Sequence, residues 1–301
     1  MGLPILADDG LADTAYETHG AGAQKNRQQS HQMPGAAPHD EEKKQVQHNL
    51  AGVGRVIGVH SGKGGVGKTF VAVNIAFALA KMGKKVGLLD ADIDCPNVVR
   101  FLNLRDMQLS GTKEGRISPI EYKQVKIISS HFLSDAPNEP MIIRGPIKHK
   151  VLAELLANVE WGDLDVLVYD LPPGTSDVPL SSFLIGNLTG LVVVTTPQKE
   201  AIMDAKKSVL MAKEMQVPVL GIIENMSGDV FGEGAGRRLA EELNTPYLGS
   251  IPLSKKIREM NQDAKIALST QEFGQPALLA AVLGKQPETL LAQSWWRKLR
   301  S

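Results

Sequence analysis

The sequence contains one cysteine, Cys95, so it has no cysteine pair that could form a disulfide within the chain. It has no apolar run long enough to span a membrane, and its first residues lack the basic region followed by an apolar core of a secretion signal. Its 33 basic residues are balanced by 33 acidic residues, so no net charge attracts nucleic acid. These absences predict a cytoplasmic protein that does not bind nucleic acid.

The first 50 residues differ in composition from the rest of the chain. They are rich in Gly, Ala, Gln, His and Asp and show little apolar periodicity, which is typical of a disordered segment. Four of the seven histidines lie here, but their spacing is irregular and no cysteine accompanies them, so we favour solvated histidines over a metal site. We predict a disordered tail over residues 1–50.

A glycine-rich stretch over residues 56–69 dominates the remaining sequence. An apolar run predicts a strand, a loop follows, and an apolar-periodic run predicts a helix. Gly62, Gly67, Lys68 and Thr69 match the pattern G-x-x-x-x-G-K-[ST] of a phosphate-binding loop in its strand–loop–helix setting. Glycines allow backbone N–H groups to point at phosphate oxygens, and the helix N-terminus adds a positive dipole end. A glycine-rich turn with a chance lysine is the alternative, which we disfavour because every fixed position is present.

This loop predicts binding of a nucleoside triphosphate with Mg²⁺. We expect Lys68 to reach the β- and γ-phosphates and the Thr69 hydroxyl to ligate Mg²⁺. The predicted nucleotide contacts are Gly62, Lys63, Gly64, Gly65, Val66, Gly67, Lys68, Thr69 and Phe70.

Apolar runs alternate with helical patterns from residue 53 onwards. Near-continuous apolar strands between helices are typical of a parallel sheet that is covered on both faces. We therefore predict an α/β fold with a doubly wound, mostly parallel sheet and a ligand site at the carboxyl ends of its strands. The predicted strands span residues 56–60, 86–89, 125–129, 166–170, 191–195 and 217–223, and the predicted helices 68–81, 147–159, 199–215 and 236–243.

Two polar residues near predicted strand ends add to the site. Asp170 ends an apolar strand and precedes Pro172-Pro173-Gly174, as expected for the acid that holds Mg²⁺ through water opposite the phosphate loop. Asn225 ends a later strand, where its amide can pair with an adenine edge through its donor and acceptor. A helix cap is the alternative for Asn225.

A second lysine in the loop, Lys63, extends the motif to Lys63-Gly-Gly-Val-Gly-Lys68. This resembles the deviant Walker A loop of the family that includes the Mrp-, Min- and Par-type ATPases and the nitrogenase iron protein. The resemblance implies a homodimer in which Lys63 acts on the partner subunit's nucleotide, much as an arginine finger does. A solvated surface lysine is the alternative.

Further ordered motifs narrow the resemblance to the Mrp/ApbC-type carriers of iron–sulfur clusters. The segment Asp90-Ala-Asp92 resembles the first switch motif of that family, which implies that Asp92 positions the attacking water, whereas we favour an ordinary loop carboxylate for Asp94. Cys95 and Asn97 depart from the usual Gly and Ser, and Phe70 replaces a small hydroxyl residue. The supporting segments are residues 61–69, 87–92, 143–146, 161–165, 170–175, 221–227, 231–234 and 248–252.

One departure concerns the cargo. The family usually carries a Cys-x-x-Cys between the segments that match residues 225–227 and 231–234, and a dimer's four thiolates hold a bridging cluster. Here Ser227-Gly-Asp-Val-Phe231 connects the segments directly, and a dimer offers only two thiols, both Cys95. Because clusters commonly need four thiolates, we expect no residues of this chain to bind iron–sulfur in the family's way.

The C-terminal residues 290–301 combine Trp295 and Trp296 with Arg297, Lys298 and Arg300. This composition suits a helix at a membrane interface and resembles the short membrane-targeting helix of Min-type ATPases. A last helix that docks on the domain is the alternative. We predict a helical tail over residues 276–301, following an ATPase domain over residues 51–275.

The sequence thus predicts a dimeric, slowly hydrolysing MgATP switch ATPase. Lys63, Lys68 and Asp92 are its expected catalytic residues, and Thr69 and Asp170 its Mg²⁺ ligands. The resemblance implies a role in iron–sulfur cluster assembly, with apo-proteins or assembly factors as partners. A positioning ATPase at the membrane periphery and a nucleotide-gated adaptor without turnover remain alternatives.

Overall fold

The computed structural model describes residues 36–133, 145–175, 182–255 and 276–285, together with Ile257 and Glu259. An eight-stranded sheet lies at the centre of the part of the chain that it describes. The strands are β1 (Val53–His60), β2 (Val86–Asp90), β3 (Ser110–Gly111), β4 (Ile117–Ser118), β5 (Ile120–Tyr122), β6 (Val125–Ser129), β7 (Leu164–Asp170), β8 (Gly190–Thr195), β9 (Val219–Ser227) and β10 (Tyr247–Pro252). The helices are α1 (Ala36–Asn49), α2 (Lys68–Lys81), α3 (Val98–Phe101), α4 (Gly145–Asn158), α5 (Lys199–Glu214), α6 (Ala235–Glu242) and α7 (Pro276–Leu283), with a 3₁₀ turn at Ser130–Leu133.

The strand order in the sheet is β10-β9-β8-β1-β7-β2-β6-β5. Every neighbouring pair is parallel except β5 and β6, which form an antiparallel edge. β3 and β4 pair separately in a small antiparallel sheet. The doubly wound, mostly parallel α/β fold is therefore confirmed. All six predicted strands and four predicted helices are present, and the bounds of α2 and β6 match the prediction at both ends.

Helices cover both faces of the sheet and enclose two apolar cores. On one face, α2 and α7 pack against the strands, with Ile75 and Leu278 fully buried. On the other, α1, α4, α5 and α6 form the second core, which includes Trp161 and Tyr169. Because both faces are covered, the strands are apolar along nearly their whole length, as parallel sheets require.

The chain termini differ from the predicted tails. Residues 36–49 form helix α1 rather than a disordered segment, and Val46 and Leu50 are buried in the second core. Helix α7 is helical as predicted, but it packs into the first core, so the domain extends past the predicted boundary at residue 275. Residues 1–35 and the basic, Trp-rich segment 290–301 lie outside the described residues.

No helix within the described residues is long and apolar enough to cross a membrane.

The strand register places polar residues side by side where β1, β2, β6 and β7 end. Asp170, the last residue of β7, pairs with Val59 of β1 on one side and with Asp90 of β2 on the other. Asp90 pairs in turn with Ser129, the last residue of β6. The loop that follows β1 opens at this same edge, so the fold brings residues from four strands together there.

Candidate nucleotide-binding site

Glycines give the loop between β1 and α2 its shape. Gly65 and Gly67 have φ angles of 82° and 87°, in the left-handed region that favours glycine. A Cβ on Gly67 would collide with the amide nitrogen of Asn225, and a Cβ on Gly62 would collide with the backbone carbonyl of Asp204 on α5. A Cβ on Gly64 or Gly65, in contrast, would meet no atom within 4 Å. The loop is thus clamped at both ends and open in the middle, as a phosphate cradle requires.

Lys68, Thr69 and Asp170 meet in the first turn of α2. The Lys68 ammonium lies 2.7 Å from Asp170 Oδ1, and the Thr69 hydroxyl donates a 2.6 Å hydrogen bond to Asp170 Oδ2. Lys68 is 7% exposed and Asp170 is fully buried. The carboxylate therefore holds both side chains in place at the mouth of the loop. A hydroxyl beside a carboxylate is an oxygen donor set that suits Mg²⁺.

The third predicted catalytic residue, Asp92, lies beside this group. Its Oδ2 is 3.8 Å from Lys68 Nζ, and its Oδ1 accepts a 3.3 Å hydrogen bond from the backbone N–H of Cys95. Asp92 is 6% exposed. The loop after β2 thus holds a second carboxylate close to the lysine ammonium.

Asp90, which the sequence analysis did not assign to the site, holds that loop through hydrogen bonds. Its Oδ2 accepts hydrogen bonds from the backbone N–H of Val98 and the Ser129 hydroxyl, both at 3.0 Å. Its Oδ1 accepts a 3.3 Å bond from the backbone N–H of Asp92. Asp90 thereby ties together the two ends of the loop over residues 91–97.

Burial and charge together set the protonation of these groups. Burial raises the pKa of Asp92 to about 6, although the nearby Lys68 ammonium opposes the rise. Burial and the adjacent Asp170 raise the pKa of Asp90 well above its ordinary value. For Lys68, burial alone would lower the pKa, but Asp170 and Asp92 outweigh it and raise the pKa. Lys68 thus stays charged as the cation among three carboxyl groups.

Asn225 lies within β9, so it does not cap a helix. Its amide nitrogen donates a 2.8 Å hydrogen bond to the carbonyl of Val66 in the phosphate loop. Asn225 is 5% exposed, and its hydrogen bond helps to hold the phosphate loop in place. Whether it also pairs with an adenine edge stays a prediction.

The remaining loop residues divide by exposure. Lys63 and Gly64 are exposed, and the Lys63 carbonyl accepts a 2.9 Å hydrogen bond from the Ser61 hydroxyl. Phe70 is buried in the first core with its ring edge-on to Phe101, so it faces the sheet and α3. The Lys63 side chain is thus exposed and the Phe70 side chain packs in the core, whereas a backbone contact of Phe70 with the nucleotide stays a prediction.

His60 is a second buried polar residue that the sequence did not single out. It is fully buried at the end of β1, with its ring edge-on to Phe183. Burial and the Lys68 ammonium lower the pKa of its imidazole to about 3, so the ring is neutral. The N–H of Gly174 donates a 2.8 Å bond to the carbonyl of the adjacent Ser61, which ties the Pro172–Gly174 loop to the phosphate loop.

The turn after β9 is short and closed. Gly228 and Gly232 exchange backbone hydrogen bonds of 3.0 and 2.7 Å, and Val230 between them is 72% exposed. Cys95, the one cysteine of the chain, is exposed on the loop after β2. No group of three or more His, Cys, Asp or Glu residues within the described ranges is arranged to hold a metal ion.

The loop geometry and the sheet topology together define a P-loop nucleoside triphosphatase. A clamped glycine loop follows the central strand, a lysine and a threonine begin the next helix, and an aspartate ends the neighbouring strand. This combination is the phosphate-binding arrangement of the class.

The family follows from comparison with known proteins. Residues 52–282 match the family model described as ParA, the NUBPL iron-transfer P-loop NTPases, and the chain belongs to this family. It is 42% identical over 259 residues to an iron–sulfur cluster carrier protein of Deinococcus radiodurans, covering 83% of this chain and 69% of that protein.

Solved structures agree with this assignment. A nucleotide-binding protein from Archaeoglobus fulgidus in complex with ADP is 30% identical, with a TM-score of 0.67, over 76% of this chain and 94% of that one. The septum site-determining protein MinD of Pyrococcus horikoshii, complexed with Mg-ADP, shares the fold at 24% identity, with a TM-score of 0.57 over 79% of this chain and 97% of that one.

Proposed function

We propose that this protein is a MgATP-dependent switch ATPase that works as a homodimer in iron–sulfur cluster assembly. The observation that carries the proposal is the buried group of Lys68, Asp170 and Thr69, with Asp92 3.8 Å from the lysine ammonium. Such a group supplies phosphate binding, an oxygen site for Mg²⁺ and a carboxylate for water in one place.

The residues present fit both ATP and Mg²⁺. The open middle of the glycine loop admits phosphate oxygens, and Lys68 sits at its end. Thr69 and Asp170 would hold Mg²⁺, which would neutralise charge on the β- and γ-phosphates. Asp92 would accept a hydrogen bond from the attacking water and orient it towards the γ-phosphate. The adenine would lie near Asn225.

The exposed Lys63 supports a dimeric site. Lys68, Asp92 and Asp170 form a compact buried group, whereas Lys63 is exposed. An exposed cation on this loop is accessible to another subunit's nucleotide, which is the role that the family resemblance implies. We therefore assign Lys63 to the partner's site and expect hydrolysis to be slow, because turnover resets a conformational switch.

The proposed link to iron–sulfur clusters rests on the relatives of this chain and on its cysteine content. The relative from Deinococcus radiodurans is an iron–sulfur cluster carrier protein, and the family is described by iron transfer. This chain has a single cysteine, so a dimer cannot supply the four thiolates that clusters commonly require. We propose that the protein acts on cluster assembly through apo-proteins or assembly factors rather than by holding a cluster itself.

A mixed-dimer experiment tests the ATPase. Lys63→Ala and Asp92→Asn are each expected to lose nearly all hydrolysis when tested alone. If Lys63 acts across the interface, mixing the two variants restores about one quarter of the wild-type rate, since half of the dimers are mixed and each has one complete site. No recovery on mixing, with dimers shown by light scattering, would contradict the assignment of Lys63.

A second experiment tests the cargo. Iron and sulfide are measured per dimer after anaerobic reconstitution, with Cys95→Ser as the matched control. We expect no stable cluster in either protein. A stable cluster that is lost in Cys95→Ser would contradict the proposal and would require ligands other than cysteine to complete the site.

ATP-dependent dimers without turnover would instead favour a nucleotide-gated adaptor.

A further inference from the structure

Helix α1 lies outside the residues that match the family model, yet it belongs to the domain core. The match covers residues 52–282, and α1 spans Ala36–Asn49. Val46 is fully buried, and Leu50 just after the helix is 2% exposed. Both pack in the same core as Leu152 and Leu156 of α4. The helix therefore shares the second apolar core with α4.

Polar contacts show how α1 lies on α4. Glu42 Oε2 is 2.8 Å from His149 Nε2, near the start of α4. Seven residues later, the Asn49 amide donates to the carbonyls of Leu156 and Val159 at 2.7 and 2.9 Å. The spacing is the same on both helices, so they run parallel over two turns, or about 10 Å. Asn49 also satisfies carbonyls that the end of α4 leaves unpaired.

The first turns of α4 also contact the loop that carries Asp92. The Lys148 ammonium lies 2.5 Å from Asp94 Oδ1 and 2.6 Å from Asp94 Oδ2. Its side chain is 17% exposed, and that of Asp94 is 48% exposed. The next residue, Cys95, donates its backbone N–H to Asp92. Lys148 thus contacts the loop two residues from the predicted water-positioning carboxylate.

We propose that α1 is a positioning element of the nucleotide switch: it fixes α4, Lys148 on α4 fixes Asp94, and Asp94 sets the loop that presents Asp92. The role of Asp92 in this chain rests on the function proposed above. Lys148 is a positioning residue, since it touches the loop and not the phosphate-binding residues.

Two features distinguish this arrangement from an ordinary surface ion pair. Lys148 and His149 are consecutive, so one turn of α4 is held by α1 on one side and holds the switch loop on the other. Asp90 of β2 accepts hydrogen bonds from the amides of Asp92 and Val98, and Asp94 lies between these two anchors. The contact between Lys148 and Asp94 therefore restrains the middle of the loop, which the Asp90 bonds do not hold.

The first test compares Lys148→Met with Lys150→Met, because Lys150 is an exposed lysine of the same helix. In nucleotide-free protein we expect Lys148→Met to speed hydrogen exchange of the Cys95 amide about two- to fivefold, the range of a partly exposed ion pair. The Val98 amide, held by Asp90, serves as the internal reference. Lys148→Arg is expected to restore slow exchange, and Lys150→Met to leave it unchanged.

Kinetics provide the second readout. Lys148→Met is expected to lower kcat by a similar factor and to leave KM for ATP unchanged, because the phosphate loop is untouched. Unchanged exchange at Cys95 in Lys148→Met would overturn the proposal. If the wild type did not hydrolyse ATP, the proposed function would fail, whereas the exchange measurement would still decide whether Lys148 holds the loop.

The link to α1 is tested with Glu42→Gln against Glu41→Gln, since Glu41 is the exposed neighbour. We expect Glu42→Gln to speed exchange at Cys95, and its effect to be smaller when Lys148 is already Met. Fully additive effects, or no effect of Glu42→Gln in a protein that melts like the wild type, would overturn the role of α1.

Discussion

The phosphate loop over residues 62–69 and the turn over residues 228–232 lie at the ends of strands of one sheet, but they are held in different ways. Contacts from distant parts of the chain fix the phosphate loop: Asp204 blocks one end and Asn225 supports the other. The turn is closed by two backbone hydrogen bonds between Gly228 and Gly232, and its Val230 is exposed.

The difference indicates which of these two segments tolerates changes in sequence and length. Removing a residue from the phosphate loop leaves buried charges without partners, and such groups cost several kcal/mol when uncompensated. Changes in an exposed turn break few contacts and should therefore cost little stability. We expect nucleotide binding to be insensitive to the length and sequence of this turn.

The largest effect is expected from Lys68→Ala. The change removes the ammonium that we propose binds the phosphates, and it leaves Asp170 and Asp92 without their cation. We expect nucleotide binding to be abolished, as measured by titration calorimetry with ATP and Mg²⁺. Lys63→Ala, which changes an exposed lysine of the same loop, should still bind ATP. Retained affinity in Lys68→Ala would contradict the phosphate-binding role of the loop.

Asp92→Asn is expected to separate binding from turnover. The amide cannot accept a proton from water as a carboxylate does, so hydrolysis should fall by about 10²- to 10⁴-fold while ATP stays bound. The measurement is single-turnover hydrolysis beside an ATP affinity. Normal turnover in Asp92→Asn would show that another group positions the water.

The pH dependence is the control for that result. Because the pKa of Asp92 is raised to about 6 by burial, its carboxyl group gains a proton as the pH falls through 6. The wild-type kcat/KM should therefore decrease below about pH 6 and be level above it. The residual hydrolysis rate of Asp92→Asn should not show this decrease below about pH 6.

Asn225→Ala is expected to have a moderate effect that distinguishes two roles. Loss of the hydrogen bond to the Val66 carbonyl should weaken binding of every nucleoside triphosphate equally, by about 1–3 kcal/mol for a buried group left unpaired. Pairing with the adenine edge would add a loss for ATP that GTP does not show. Affinities for ATP and GTP in both proteins decide between the roles.

The sequence predicts the centre of this fold well and its edges less well. Helix α2 and strand β6 are predicted at both ends because strong apolar patterns meet clear breakers. Lys68 and Thr69 contact Asp170 because the ends of parallel strands share one edge, whereas the roles of these residues stay predictions. These features depend on local patterns and one general rule of topology.

The residues that sequence reasoning missed depend on register between distant strands. Asp90 and Ser129 join only because β2 and β6 pair at their last residues. Helix α1 is polar in composition. Beyond two alanines, Val46 is its one strongly apolar residue, so its apolar periodicity is weak. Its stability comes from burial in the second core, which no local pattern reveals.

The smallest effect is expected at the turn after β9. Val230 is 72% exposed, so Val230→Ser should change the free energy of unfolding by no more than about 0.5 kcal/mol. ATP affinity should also be unchanged, because the turn contributes none of the polar groups that hold the phosphate loop. Denaturant unfolding and ATP titration check both expectations. A variant that folds normally but loses ATP-dependent dimerisation would place this turn at the subunit contact, and the separation of nucleotide chemistry from the turn would then hold only within one subunit.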